Sequence, residues 1–102
     1  MGIKKRYVKS TGICKCTFRM PKEAVANATQ VYLVGDFNDW STISHPMQKL
    51  KSGEFKLEMA LEPGKDYQFR YLIDQVNWEN DWDADSYRHS NAVASDNSVV
   101  SV

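Results

Sequence analysis

The chain has 102 residues and a mass of 11.7 kDa, enough for one domain with a real core and too short for two. With 42% hydrophobic and 25% charged residues, the composition excludes a disordered, collagen-like or coiled-coil chain. Thirteen Lys and Arg balance thirteen Asp and Glu, which argues against partners held by net charge, such as nucleic acid or an anionic membrane.

Met1 to Arg6 lacks the apolar stretch of a signal peptide, and Arg6 breaks the myristoylation pattern. No apolar run approaches the ~20 residues that span a bilayer. A soluble, cytoplasmic protein is expected. Residues 1–11 read as a basic N-terminal arm and residues 12–102 as a single folded unit.

Period-two alternation dominates from there. Cys14, Cys16, Phe18 and Met20 alternate with Lys15, Thr17 and Arg19, which predicts a strand with one wet face, closed by Pro21. Residues 21–30 are Ala-rich and long enough for one helical turn only. Val31 to Val34 is a continuous run of β-formers, which suits a central strand buried on both faces. Gly35-Asp36-Phe37-Asn38-Asp39-Trp40-Ser41 is turn chemistry carrying two large aromatics. Met47 to Leu50 predicts a short strand. Phe55, Leu57, Met59 and Leu61 alternate in the next one, and Glu62-Pro63-Gly64-Lys65 turns the chain. Tyr67, Phe69, Tyr71 and Ile73 form an inward face, with Gln68, Arg70 and Leu72 opposite; Val99 to Val102 closes the fold. About seven short strands with no ordinary amphipathic helix predict an all-β, immunoglobulin-like antiparallel sandwich.

Cys14 and Cys16 share one face of their strand, where a disulfide between them is poorly placed. They read as small core residues of a reducing compartment. Residues 1–22 carry seven basic side chains and no acidic one, whereas residues 74–97 carry six acidic side chains and only Arg88 as a base. A nucleic-acid arm competes here with a solvated tail facing an acidic rim. The spread of the bases along a strand favours the tail.

No nucleophile elbow, phosphate loop or nucleophile–base pair is present, so the chain does not read as an enzyme. Asp81-x-Asp83-x-Asp85 opens like a calcium loop but has Ser86 where Gly is required and Ala92 where Glu is required. No metal and no cofactor are expected. The tryptophans are more informative. Trp40 follows Asn38-Asp39 in a turn, and Trp78 sits in a polar run. An extended segment puts Trp78, Asn80 and Trp82 on one face. Large aromatics in polar loops suggest a binding surface; the competing reading is that each caps one end of the core.

Val31-Tyr32-Leu33-Val34-Gly35-Asp36-Phe37-Asn38-Asp39-Trp40 resembles the signature of the glycogen-binding, isoamylase N-terminal "early set" carbohydrate-binding modules. These occur in the beta subunit of the AMP-activated protein kinase and ahead of the catalytic domains of isoamylases and branching enzymes. The resemblance continues through Leu61 to Gly64, Tyr67 to Asp74, Trp78 to Asp81 and Asp96 to Val100, covering roughly residues 14–102. It implies an immunoglobulin-like sandwich that binds α-1,4-glucan: glycogen, starch or maltooligosaccharide. By position, Trp40 and Trp78 match the family's stacking tryptophans. Arg70 matches a hydroxyl-bonding base that is usually Lys, Asn97 a sugar-bonding Asn, and Ser95 a hydroxyl residue beside it. Trp82, where the family commonly has Pro, is a candidate additional platform. The turn before Trp78 is one residue longer than the family's Asp-Gly turn, and Ser98 replaces a second Asn. The apolar residue that enters the sugar in the kinase modules falls near Val93, and no contact is assigned to it.

The sequence therefore reads as a stand-alone, non-catalytic α-glucan-binding module, with a glycogen-metabolising enzyme as a further partner. The alternative is a protein-interaction or regulatory module of glycogen metabolism that has lost the sugar.

Overall fold

The computed structural model describes residues 3–25, 27–90 and 95–102, which leaves Val93 outside the described residues. Among the described residues nine strands run in order: β1 (Lys4–Val8), β2 (Ile13–Met20), β3 (Val31–Gly35), β4 (Gln48–Lys49), β5 (Phe55–Leu61), β6 (Asp66–Ile73), β7 (Asn77–Glu79), β8 (Ser86–Ser90) and β9 (Ser95–Ser101). They form two antiparallel sheets, β1-β2-β5-β4 and β3-β6-β9-β8, with β7 also paired to β6. The sandwich is thus the expected all-β fold. The three strands beyond the sequence reading are β1, β7 and β8.

The core is what alternation dictates. Cys14, Cys16, Phe18 and Met20 are buried and face Leu61, Met59, Leu57 and Phe55 across the β2–β5 pair. From the second sheet Val31, Leu33, Phe69, Tyr71 and Val100 close over them. Phe18 joins the sheets, with its ring edge-on to Phe69 at 5.2 Å, and Phe69 meets Tyr71 edge-on at 5.6 Å. Both cysteines are free thiols with sulfurs 3.7 Å apart. Residues 21–25 make hydrogen-bonded turns, Ala24 N–H to Pro21 O and Val25 N–H to Lys22 O, and no helix.

Val31 to Val34 is not a central strand, because β3 lies at the end of its sheet. Its edge is covered instead by the 45–47 segment: Leu33 N–H donates to His45 O at 2.9 Å and Met47 N–H to Val31 O at 2.8 Å. That cover explains why an edge strand is so apolar.

β1 lies within the stretch read as a basic arm and pairs along β2. Lys5 reaches from it to the residue just before β8 and donates to Asp85 Oδ2 at 2.7 Å; the same oxygen accepts Ser101 N–H at 2.8 Å. Here the basic start of the chain and the acidic segment do face each other.

Candidate functional site: an open groove between two indoles

The site grows from Gly35. A Cβ there would stand 2.5 Å from Gln68 O and 2.7 Å from Phe69 Cβ, so only glycine lets β3 approach β6 this closely. Past it the chain makes one 3-10 turn, Asp36–Asn38. Asn38 ties the turn down: its Oδ1 accepts Gly35 N–H at 3.1 Å and its amide donates to Leu33 O at 3.0 Å. Asp39 and Trp40 then adopt left-handed backbone, with φ of 55° and 58°. This conformation costs a bulky residue about 1–3 kcal/mol and persists only where surrounding contacts fix it. Three contacts do so. Trp40 N–H donates to Gly35 O at 2.9 Å, Ser41 N–H to Asn38 O at 3.1 Å, and the Trp40 indole N–H to Asp36 Oδ1 at 2.9 Å.

The second indole comes from β7. The turn before it puts Asp74 and Gln75 in left-handed backbone (φ 51° and 62°) and closes with Val76 N–H on Ile73 O. Asp74 Oδ1 accepts the Thr29 and Gln30 N–H groups, both at 2.8 Å, which anchors the lengthened turn to the rest of the fold. Trp78 then lies directly across from Leu72, and antiparallel partners project from one face, the outer face that Gln68 and Arg70 share. Trp78 is 46% exposed. β9 pairs with the first half of β6, so it follows β7 along the same side of that strand. It brings Asn97 to Arg70.

Trp40, Arg70, Trp78 and Asn97 line one open groove of about 590 Å³, together with Asp36, Gln68 and Ser90. A hydrogen-bond chain sets its floor. Arg70 Nε donates to Asn97 Oδ1 at 2.7 Å and Nη2 to Asp96 O at 2.8 Å. Asn97 Nδ2 donates to Gln68 Oε1 at 3.0 Å, and Gln68 N–H to Asp36 Oδ2 at 2.8 Å. The guanidinium is thereby oriented by two bonds, while its Nη1 has no protein acceptor among the described residues. In one groove, two indole faces can stack flat apolar rings while an oriented guanidinium bonds polar groups at the ring edges.

Ser95 is exposed and pairs with Ser90; it is Ser90 that lines the groove. Trp82 lies elsewhere. β7 stops at Glu79, so the extended run that would have aligned Trp82 with Trp78 does not form. Asn80 Oδ1 accepts Ser98 N–H at 2.9 Å, and Asp81 N–H donates to Ser98 Oγ at 3.0 Å. These bonds bend the chain away, and Trp82 borders a different groove on the first sheet. The Asp81 carboxylate takes the Tyr71 hydroxyl at 2.6 Å and Asp83 N–H at 2.8 Å, so this acidic stretch is occupied by protein donors. Burial pushes the Tyr71 phenol well above its ordinary range, and the Asp81 charge and hydrogen bond push the same way. Asp36, Gln68 and Ser90 are groove residues the sequence reading missed. Gln68 had a signal, since it shares a strand face with Arg70.

No helix among the described residues is long and apolar enough to cross a membrane. A 1,4-alpha-glucan branching enzyme (GlgB) of Deinococcus radiodurans is 47% identical over 45 residues, 43% of this chain and 6% of the enzyme. Protein PTST homolog 2, chloroplastic, of Arabidopsis thaliana is 40% identical over 48 residues, 47% of this chain and 9% of that protein. Protein FLOURY ENDOSPERM 6, chloroplastic, of Oryza sativa subsp. japonica is 37% identical over 54 residues, 53% of this chain and 10% of that protein. The matches thus span a tenth or less of each relative. The family described as the glycogen recognition site of AMP-activated protein kinase matches residues 23–102, most of the chain. The chain belongs to that family, whose members are non-catalytic glucan-binding modules.

Proposed function

We propose that the groove between Trp40 and Trp78 holds an α-1,4-glucan chain. The two indoles stack successive glucose rings, and Arg70 and Asn97 bond their hydroxyls and set the register, with Ser95 at the rim beside Ser90. The observation that carries this is the convergence of both tryptophans and the Arg70 fork on one open groove. By analogy with base stacking, each ring contact contributes about 1–3 kcal/mol. After association costs, short oligosaccharides bind with Kd of roughly tens of micromolar to millimolar. Glycogen binds more tightly when several modules engage one particle.

The module works without catalysis, holding a glucan-acting partner such as a glycogen-metabolising enzyme at the polymer. The short segments shared with branching enzymes support that role. Two buried thiols left unpaired support a reducing compartment, the cytoplasm. Glycogen co-sedimentation tests the reading. Wild-type chain pellets with glycogen, while Trp40→Ala and Trp78→Ala variants with native spectra remain in the supernatant. Equal pelleting of wild type and both variants would refute it.

A further inference from the structure

We propose that the groove beside Trp82 is a second, separate α-glucan contact, an inference that rests on the glucan reading of the first groove. It measures about 570 Å³ and, among the described residues, shares no lining residue with the first. Trp82 borders it with Lys4, Arg19 and Thr17, and with three carboxylates, Glu54, Asp81 and Asp83; Ile3 and Pro21 complete the lining. Thr17 and Arg19 alternate with the buried Cys16, Phe18 and Met20, so this groove opens on the outer surface of the first sheet. The first groove opens on the second sheet.

Trp82 is 58% exposed, more than Trp78, yet it stands on fixed backbone. The residue before it is anchored on every side. Asp81 N–H donates to Ser98 Oγ, its carboxylate accepts from the Tyr71 hydroxyl and Asp83 N–H, and its carbonyl accepts the Tyr87 hydroxyl at 2.6 Å. A large apolar ring held in water on a pinned support binds without the entropy cost of ordering a loop. The polar groups around it select the ligand. Arg19 and Glu54 pair at 3.4 Å, the Asp81 carboxylate is taken by the Tyr71 hydroxyl and Asp83 N–H, and Lys4 and the Thr17 hydroxyl add donors opposite the acids. Two bases and three acids nearly balance, and the Arg19–Glu54 pair and the bonded Asp81 leave no strong field to draw a charged ligand. The set suits a neutral ring with an apolar face and hydroxyls along its edge. The polymer in the first groove presents that ring repeatedly, so one module bridges two glucan chains through its two sheets and gains by avidity.

Titration of maltoheptaose into the isotope-labelled full chain, followed at the three indole N–H signals, tests this. The Trp82 signal is expected to shift along its own isotherm, half-saturating at roughly 1–10 mM for a single-ring contact. The shift persists in the Trp40→Ala/Trp78→Ala double variant; if that variant does not fold, Arg70→Ala takes its place. Glycogen turbidity, which reports bridging, falls at least several-fold in Trp82→Ala. A fixed Trp82 signal with moving Trp40 and Trp78 signals overturns the second contact and leaves the first. A Trp82 shift that vanishes with the first groove also overturns it, as one continuous site. If no indole signal moves, the first reading fails too.

Discussion

The Asp36 carboxylate joins the Trp40 indole to the β6 backbone: one oxygen accepts the indole N–H at 2.9 Å and the other accepts Gln68 N–H at 2.8 Å. It therefore holds the Trp40 indole at a set angle to the strand that carries Arg70. Asp36→Ala releases the ring without removing it. The expected result is a native fold and a glucan affinity lower by about 1 kcal/mol, roughly five-fold. Asp36→Asn keeps an acceptor for the indole and loses less. Calorimetric titration of maltoheptaose into both variants checks the order; equal affinity for wild type and Asp36→Ala would show that the ring needs no such brace.

Gly35 is the hinge of the same arrangement. Its missing side chain admits Gln68 O and Phe69 Cβ, which a methyl group would meet at 2.5 and 2.7 Å. Both obstacles are on the adjacent strand, with no flexible side-chain end to move aside. Gly35→Ala is expected to cost about 2–3 kcal/mol, or roughly 10–15 °C in melting temperature for a domain of this size. A thermal melt within a few degrees of wild type contradicts the contact.

The alternating strands were legible because burial sorted their residues. Cys14 to Met20 and Phe55 to Leu61 state their inner face in the sequence itself. β1, β7 and β8 were not. Lys-Lys-Arg-Tyr-Val, Asn-Trp-Glu and Ser-Tyr-Arg-His-Ser hold their places by backbone pairing at sheet margins, where little side-chain burial marks them. The apolar run at Val31 misled for a related reason: sequence shows that a strand is covered, not that a loop rather than a strand covers it. Trp40, Arg70, Trp78 and Asn97, singled out through the family resemblance, line one groove. Trp82 was misplaced because the end of β7 is decided by Ser98, a residue distant in sequence that captures Asn80 and Asp81. Asp36 was missed because its role is a brace between two other residues.

Arg70 uses its fork on the protein, with Nε on Asn97 and Nη2 on the Asp96 carbonyl. A lysine offers one compact charge and cannot span both acceptors while also facing a ligand. Arg70→Lys is expected to fold and to bind glucan a few-fold less tightly. Arg70→Ala loses roughly ten-fold or more, because the Asn97 carboxamide, only 6% exposed, also loses its donor. Affinity unchanged in Arg70→Ala would remove the guanidinium from the binding site.

Alkaline pH is expected to unfold the sandwich through two buried acids. Burial pushes the Cys16 thiol from 9.0 up to about 12, with the Cys14 thiol beside it adding to the rise. Burial, then the Asp81 charge and hydrogen bond, lift the Tyr71 phenol well above its ordinary 10.0. In both cases the folded state holds its proton more tightly than the unfolded chain. The stabilisation is therefore complete below about pH 9 and is lost as pH rises toward and through the folded values. Urea midpoints are expected to hold steady from neutrality to about pH 8.5, then fall steadily from about pH 9 to 11. Tyr71→Phe separates the contributions. At neutral pH it costs about 1–3 kcal/mol, since Asp81, itself 7% exposed, loses the donor to its Oδ2. Above pH 10 it falls less steeply than wild type, because one of the two protons is gone. Parallel alkaline slopes for the two proteins would mean that the phenol titrates alike in the folded and unfolded chains, and the Tyr71–Asp81 bond would not be what keeps it protonated.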